Sequence, residues 1–180
     1  CPEDCAYCPQ SIRFETGVDR HDLMPLEEVR AAARRAKESG ATRFCMGAAW
    51  KGVRTGTQKF DQVLDIVRDV STLGMEVCVT LGELGAEEAR ELKDAGVTAY
   101  NHNIDTSREH YANIVTTHTY DDRVETARLA IDVGMELCCG GILGLGETLE
   151  QRVDFAFELA ELRPCEVPIN LLDPRPGTPL

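Results

Sequence analysis

The stretch EVCVTLGELGAEEARELKDAGVTAYNHN, residues 76–103, decides the fold. Residues 76–81 form an apolar run of strand length, and residues 86–95 have the spacing of a helix that ends at Gly96. Residues 97–103 are strand-like again. A strand, a helix and a second strand within about 30 residues are typical of a βα unit beside a parallel sheet.

The same alternation of helix and strand patterns runs along the rest of the chain. Further strands are predicted at 42–47, 136–143 and 167–172, and further helices from Leu26 to before Gly40, from Phe60 to about Gly74, at 120–133 and at 148–162. The expected fold class is therefore α/β, with about five parallel strands. A complete TIM-type (β/α) barrel typically needs ~250 residues. Five strands in 180 residues form either an open sheet or an incomplete barrel.

The composition excludes several classes of protein. The chain has 31 acidic and 19 basic side chains, a net charge of −12, and 43% hydrophobic residues, which is typical of a globular domain. Phosphate binding relies on concentrated Lys and Arg, so no nucleic acid partner is expected. No run reaches the ~18 apolar residues of a membrane span, and a cytoplasmic protein is predicted. Because the chain begins at Cys1 without Met, we expect it to be cut from a longer protein. We interpret residues 1–180 as one core domain that is truncated at both ends.

Eight cysteines are the most unusual feature of the composition. They stand at positions 1, 5, 8, 45, 78, 138, 139 and 165. Disulfide frameworks belong mainly to small, secreted, loop-rich proteins. Long helical patterns and the lack of a secretion signal therefore favour metal or redox chemistry.

Three of the cysteines stand close together in the opening segment CPEDCAYCPQ. Cys1, Cys5 and Cys8 have the spacing C-x3-C-x2-C. Iron–sulfur clusters normally take four cysteines, so three thiolates on a four-iron cluster leave one iron open to another ligand. Zinc is the alternative, but it prefers paired C-x2-C motifs and a closed tetrahedral shell.

Strand parity places three further cysteines with polar or small residues. Alternate residues of a strand share a face. If the polar faces point into a barrel, its interior holds Arg43, Cys45, Cys78, Asn103, Asp105, Cys138 and Asn170. The alternative is packing, because a free cysteine behaves as a small hydrophobic residue. Cys139 has the opposite parity and is expected to pack against helices, and Cys165 has no motif around it.

Two sequence motifs of the chain resemble those of radical S-adenosylmethionine enzymes. They are C-x3-C-x-Tyr-Cys at residues 1–8 and G-x-I-x-G-x-x-E at residues 140–147. The resemblance implies that Cys1, Cys5 and Cys8 hold a [4Fe–4S] cluster whose open iron binds S-adenosylmethionine. It also implies a set of cofactor-binding residues, namely Tyr7, Ala48, Asp105, Arg123, Gly140, Ile142 and Gly144.

Within that superfamily the chain is most similar to the biotin synthase family. The strings TRFCMGAAW (42–50), YNHNIDT (100–106) and VPIN (167–170) carry the resemblance, which covers essentially the whole chain. It implies a second cluster, [2Fe–2S], held by three strand cysteines and one arginine. The cysteines that match are Cys45, Cys78 and Cys138, and the substrate-binding amides are Asn103 and Asn170. The arginine would lie after Leu180, so no residue here is assigned that role.

The implied activity is that of a sulfurtransferase which inserts sulfur into dethiobiotin to form biotin. The [4Fe–4S] cluster would cleave S-adenosylmethionine, the [2Fe–2S] cluster would donate the sulfur, and no side chain is expected to be catalytic, since cofactors carry the chemistry. The resemblance also implies a reducing electron-donor protein and a homodimer of the full-length protein. We expect the chain to be inactive alone. The alternatives are another radical S-adenosylmethionine enzyme of the same subgroup and a non-catalytic metal-binding or structural fragment.

The four histidines receive weaker predictions. His102 has the opposite parity to its asparagine neighbours, so we expect it to support the barrel wall. His21, His110 and His118 are expected at the surface or in loops. The family often has Arg at position 118, so His118 is a departure from the pattern.

Overall fold

The computed structural model describes all residues, 1–180. The helices are α1 (Leu26–Glu38), α2 (Gln58–Ser71), α3 (Ala86–Ala95), α4 (Arg108–Tyr111), α5 (Tyr120–Asp132) and α6 (Leu149–Leu162). The strands are β1 (Arg43–Gly47), β2 (Glu76–Thr80), β3 (Ala99–Asn101), β4 (Glu136–Cys138), β5 (Gly141–Leu143) and β6 (Ile169–Leu171). None of the helices combines the length and the apolarity that crossing a membrane requires.

The strands follow one another in chain order and are all parallel. One sheet has the order β1-β2-β3-β4, and β5 pairs with β6. Parallel bridges from Asp105 to Gly141 and from Cys138 to Glu166 join the two sheets. A doubly wound sheet reverses its strand order at a switch point, and this sheet does not. The six strands therefore form an arc that is part of a (β/α) barrel. This is one of the two predicted alternatives, and the other, an open sheet, is excluded.

The helices cover one face of this arc. Val77 and Val79 of β2 are fully buried among residues of α1, α2 and α3, and Phe44 and Met46 of β1 pack against the same cluster. The predicted apolar face of α2 is buried there, namely Phe60, Val63, Leu64, Val67 and Val70. Cys78 lies between the two valines and points to the opposite face, because side chains alternate along a strand. The strand parity read from the sequence is confirmed.

Two predicted elements differ from the structure. The single strand predicted at 136–143 is interrupted between β4 and β5, and the one predicted at 97–103 is hydrogen-bonded as a strand over only three residues. At Gly140 a Cβ atom would lie 1.9 Å from the carbonyl oxygen of Pro168. At Asp105 the backbone enters the left-handed region, with φ of 62°. These local conformations end the regular ladder, and alternation of residue types does not reveal them.

Helix α4 is an element that the periodicity did not predict. It has four residues and begins after Ser107, whose hydroxyl accepts a hydrogen bond from the backbone N–H of His110. A single turn is too short for a repeating apolar pattern. Ser107 as a helix cap is the one local signal that the sequence carries for it.

Candidate functional site

The cysteine-rich opening loop is fastened to the segment that follows α4. The carboxylate of Asp4 accepts hydrogen bonds from the backbone N–H groups of Thr116, at 2.9 Å, and Thr117, at 3.2 Å. The hydroxyl of Thr116 also donates to Asp4. Burial alone would raise the pKa of Asp4, but these hydrogen bonds lower it to about 2. The loop is thus held in place by a carboxylate that stays ionised.

The first cysteine trio lines one cavity with several of the predicted cofactor-binding residues. Cys5 is buried, and Cys1 and Cys8 are partly exposed. The cavity, of about 240 Å³, is lined by all three cysteines together with Tyr7, Ala48 and Arg123. Burial, and then the nearby carboxylate of Asp105, raise the pKa of Cys5 to about 12. This thiol therefore needs a metal to become a thiolate at neutral pH.

Arg123 and Asp105 form a buried polar network at this cavity. The Nε of Arg123 donates to the hydroxyl of Tyr111 at 3.1 Å, and its Nη2 lies 3.5 Å from the Asp105 carboxylate. Burial raises the pKa of Asp105, which Arg123 and Tyr7 oppose. Arg123 is thus an inward-facing cation at the N-terminal end of α5. Its alternative role as a solvated surface arginine is excluded.

The second cysteine trio lies on three strands of one sheet, two of them adjacent. Cys45 of β1 is paired in register with Cys78 of β2, and Cys138 of β4 is paired with Asn101 of β3. Burial, and then the neighbouring thiols of Cys45 and Cys138, raise the pKa of Cys78 to about 12. The three thiols therefore share one neighbourhood inside the arc.

The remaining two cysteines lie elsewhere. Cys139 is fully buried in the apolar cluster beneath α5 and α6, on the face opposite Cys138, as parity predicts. Cys165 is exposed, and its Sγ lies 3.2 Å from the carbonyl oxygen of Leu137. Neither thiol joins a trio.

The cysteine trios differ from a compact single-ion site in the spacing of their ligand atoms. Sulfur ligands at ~2.3 Å from a tetrahedral zinc lie about 3.8 Å from one another. Only Glu3, Glu83 and His118 form a trio of His, Cys, Asp or Glu whose ligand atoms all lie within 4.8 Å of one another. In neither cysteine trio do all three sulfur atoms lie within that distance of one another. Thiolates are the usual ligands of iron–sulfur clusters.

Sequence reasoning missed several polar partners of the second trio. Asn101 shares its parity with Asn103, and its amide nitrogen lies 3.6 Å from the Sγ of Cys138. Burial, and then the Glu166 carboxylate, raise the pKa of Cys138 to about 11. The signal for Asn101 was its place on the inward face of β3. Glu166 lies before β6, where no pattern marked it.

Arg43 faces inward as predicted, but its guanidinium forms ion pairs with three carboxylates. Its guanidinium contacts Glu76 at 2.8 Å, Glu136 at 2.5 Å and Glu166 at 2.7 Å. Glu76 and Glu136 are the first residues of β2 and β4, so the cluster lies at the amino-terminal end of the strands. Each guanidinium nitrogen of Arg43 is therefore paired with a carboxylate, and none is free to bind a metal.

The other predicted site residues do not line the cavity of the first trio. This set is Gly140, Ile142, Gly144, Asn103, Asp105 and Asn170. Asn103 accepts a hydrogen bond from the backbone N–H of Gly140 at 3.0 Å, which leaves its amide NH2 as the free group. Asn170 is exposed on β6, opposite Ile142 of β5. Gly144 has a φ of 97°, a backbone conformation that favours glycine.

The predictions for the histidines are partly wrong. His102 is buried in the wall beside Arg123, as expected. His21 is exposed. His118 lies in a loop, as expected, but both it and His110 of α4 are buried, because α4 and the loop after it fold back beneath the cysteine loop. The Nε2 of His110 lies 3.1 Å from the carbonyl oxygen of Leu145.

A family model named for the radical SAM superfamily, the enzymes that use S-adenosylmethionine, matches residues 1–159. The chain belongs to this superfamily. The match spans every element from the cysteine loop into α6. The cofactors of this superfamily are a [4Fe–4S] cluster and S-adenosylmethionine.

Curated relatives narrow the comparison. The chain is 52% identical to a biotin synthase of Myxococcus xanthus and 54% identical to one of Methylococcus capsulatus, in each case over 100% of the chain. It covers 52% and 55% of those two proteins. The chain thus spans about half the length of the curated relatives it matches.

Solved structures support the fold. Methylornithine synthase superposes with a TM-score of 0.88 at 20% identity, over 100% of this chain and 52% of that one. HydG, a maturase of the [FeFe]-hydrogenase, gives 0.76 at 21% identity, over 97% of this chain and 41% of that one. At such identities the likeness shows the shared barrel architecture alone.

Proposed function

We propose that residues 1–180 are the core domain of a biotin synthase, which inserts sulfur into dethiobiotin to form biotin. Two facts support the proposal together: membership of the radical SAM superfamily and about 50% identity to biotin synthases along the whole chain. The dethiobiotin substrate, a reducing electron-donor protein, a homodimer of the full-length protein and a cytoplasmic location belong to the same proposal.

The observation that carries it is the presence of two separate cysteine trios in one barrel. Cys1, Cys5 and Cys8 lie on the opening loop, and Cys45 and Cys78 lie on β1 and β2 facing the interior. A radical SAM enzyme needs only the first trio. Cys138 of β4 completes the second trio, so three strands of one sheet present thiols to one space. Sulfur insertion gives a reason for a second cluster there.

The bound cofactors supply the chemistry, since a reduced [4Fe–4S] cluster can break a C–S bond of S-adenosylmethionine and a [2Fe–2S] cluster carries sulfide. Arg123 would bind the methionyl carboxylate through a guanidinium that burial shields from water. Asp105 would accept hydrogen bonds from the ribose hydroxyls. Removing water from the site strengthens both interactions.

The remaining predicted contacts complete the proposed site. Tyr7 and Ala48 lie at the cavity of the first trio and would contact the cofactor there. Gly140, Ile142 and Gly144 would line the adenine site. Asn103 would hydrogen-bond the cyclic urea of dethiobiotin through its free NH2 group. Asn170 would do so through an amide that can both donate and accept.

Anaerobic reconstitution with iron and sulfide tests this proposal. We expect about six irons per chain, divided between two clusters that differ in visible and EPR spectra. Simultaneous Cys45→Ala, Cys78→Ala and Cys138→Ala substitutions should remove only the [2Fe–2S] signal. Cys165→Ala is the matched control and should remove neither. Loss of both signals, loss of neither, or uptake of zinc in place of iron would overturn the assignment.

A further inference from the structure

Glu3, Glu83 and His118 form a second kind of polar cluster, to which the proposed function gives no role. Glu3 belongs to the cysteine loop, Glu83 follows β2, and His118 precedes α5. One ligand atom from each lies within 4.8 Å of the others. The side chains of His118 and Glu3 are only 3% and 8% exposed, and Glu83 is partly buried.

Two buried atoms of this cluster have no hydrogen-bond partner. They are Oε1 of Glu3 and Nε2 of His118. Most buried polar atoms in proteins are hydrogen-bonded, because leaving one unsatisfied is costly. Two such atoms in one trio of potential metal ligands indicate a missing partner, and a cation is the partner that a carboxylate oxygen and an imidazole nitrogen share.

The hydrogen bonds that do exist prepare His118 for this role. Its Nδ1 lies 2.6 Å from Oε2 of Glu3, and the hydroxyl of Thr117 donates to the same oxygen. A carboxylate that accepts a hydrogen bond from one imidazole nitrogen leaves the other nitrogen free as a ligand. This arrangement recurs around metal-binding histidines.

Lys51 is the cation already close to the cluster. Its Nζ lies 3.3 Å from Oε1 of Glu3, but not in hydrogen-bonding geometry, and it donates to the carbonyl oxygen of Thr117 at 2.9 Å. The side chain of Lys51 is 46% exposed, and its ammonium would compete with a metal ion for Oε1 of Glu3. The two carboxylates of the cluster outnumber the one ammonium beside it.

We propose that Glu3, Glu83 and His118 bind one divalent metal ion of the Mn²⁺ and Zn²⁺ class. Two carboxylates and one imidazole are ligands that these ions share, and the absence of a thiolate distinguishes the site from those of the cysteine trios. The ion would connect the cysteine loop, the end of β2 and the segment before α5. It would lie in the wall of the cavity that Cys1, Cys5 and Cys8 line, because all three of its ligands line that cavity. The proposal does not depend on which reaction the protein catalyses.

Titration of the chelator-treated protein with Mn²⁺, followed by EPR of the free ion, tests the site. Mn²⁺ is suitable because thiolates are soft ligands that it does not favour. We expect one bound Mn²⁺ per chain. Glu83→Gln and His118→Asn should each weaken binding at least about tenfold. Glu87→Gln and His21→Asn are the matched controls, since both residues are exposed, and they should bind as the unmodified protein does. Circular dichroism melts show which variants are folded.

A variant outside the ligand set keeps the test decisive if the ligand variants unfold. Lys51→Gln removes the competing ammonium and no ligand, so it should tighten Mn²⁺ binding. Absence of Mn²⁺ binding by the unmodified protein would overturn the proposal, as would equal affinity in the Lys51→Gln variant. Loss of binding on replacing Cys1, Cys5 and Cys8 with serine, with Glu83→Gln unaffected, would assign the ion to the cysteines instead.

Discussion

At the scale of single residues, Arg123 shows what burial adds to a sequence motif. From its place early in a helix, a solvated arginine and a carboxylate-binding arginine are equally reasonable. In the structure its guanidinium is enclosed by Tyr111, His102 and Asp105. These contacts orient a fixed charge toward the cavity of the cysteine loop, and only a planar group with several donors can make them together.

Replacing Arg123 with Lys should weaken binding of S-adenosylmethionine to the reconstituted protein at least about tenfold. Lysine keeps the charge but has no fork of donors, so it cannot contact Tyr111 and Asp105 while binding a carboxylate. Isothermal titration calorimetry measures the affinity. Arg128→Lys, at an exposed position of the same helix, is the control and should bind normally. Unchanged affinity in the Arg123 variant would rule out its proposed contact.

At the scale of elements, the break between β4 and β5 shapes the site. The chain bends at Gly140, whose amide donates to Asn103 and whose Cα lies against the backbone of Pro168. Close packing against Pro168 is therefore a reason for glycine at this strand end, in addition to any contact with a cofactor. The bend is also where β4 leaves β3 and β5 begins to pair with β6.

The substitution Gly140→Ala should lower the free energy of unfolding by about 2–3 kcal/mol, because overpacking against rigid backbone cannot be relieved by a rotamer change. Urea denaturation followed by circular dichroism measures this loss. Gly85→Ala is the comparison, since its added Cβ would meet the end of the flexible Glu88 side chain. If Gly140→Ala is no less stable than Gly85→Ala, packing is not the reason for glycine here.

At the scale of the whole molecule, α6 presents an apolar stripe to solvent. Leu149, Val153 and Phe157 are 71%, 55% and 69% exposed and follow one another at intervals of four residues. Residues four apart lie on the same side of a helix. Large exposed apolar patches mark surfaces that associate with other protein.

We expect the isolated chain to self-associate through this stripe at high concentration. Phe157→Glu should shift it toward the monomer, because a charge would have to be buried in the contact. Sedimentation velocity over a range of concentrations gives the mass distribution. Ala31→Glu adds the same charge at an exposed position of α1 and should leave the distribution unchanged. A chain that is monomeric at all concentrations would contradict the expectation.

The sequence by itself determined the alternation of the longer helices with strands and the relative faces of residues on a strand. Period-two alternation follows from strand geometry, so it is sufficient to assign Cys45, Cys78 and Cys138 to the interior and Cys139 to the helices. The spacing of Cys1, Cys5 and Cys8 likewise indicated a cluster-binding loop, because ligands so close along the chain need no long-range information.

Only the tertiary structure decided what depends on contacts between distant segments. The burial of His118 against Glu3, 115 residues earlier, and the meeting of Arg43 with Glu76, Glu136 and Glu166 have no local pattern. The choice between an open sheet and a barrel arc also needed the strand order, because the sequence pattern of a βα unit is the same in both architectures. Local periodicity encodes which way a side chain points, and the packing of the whole chain determines what it meets.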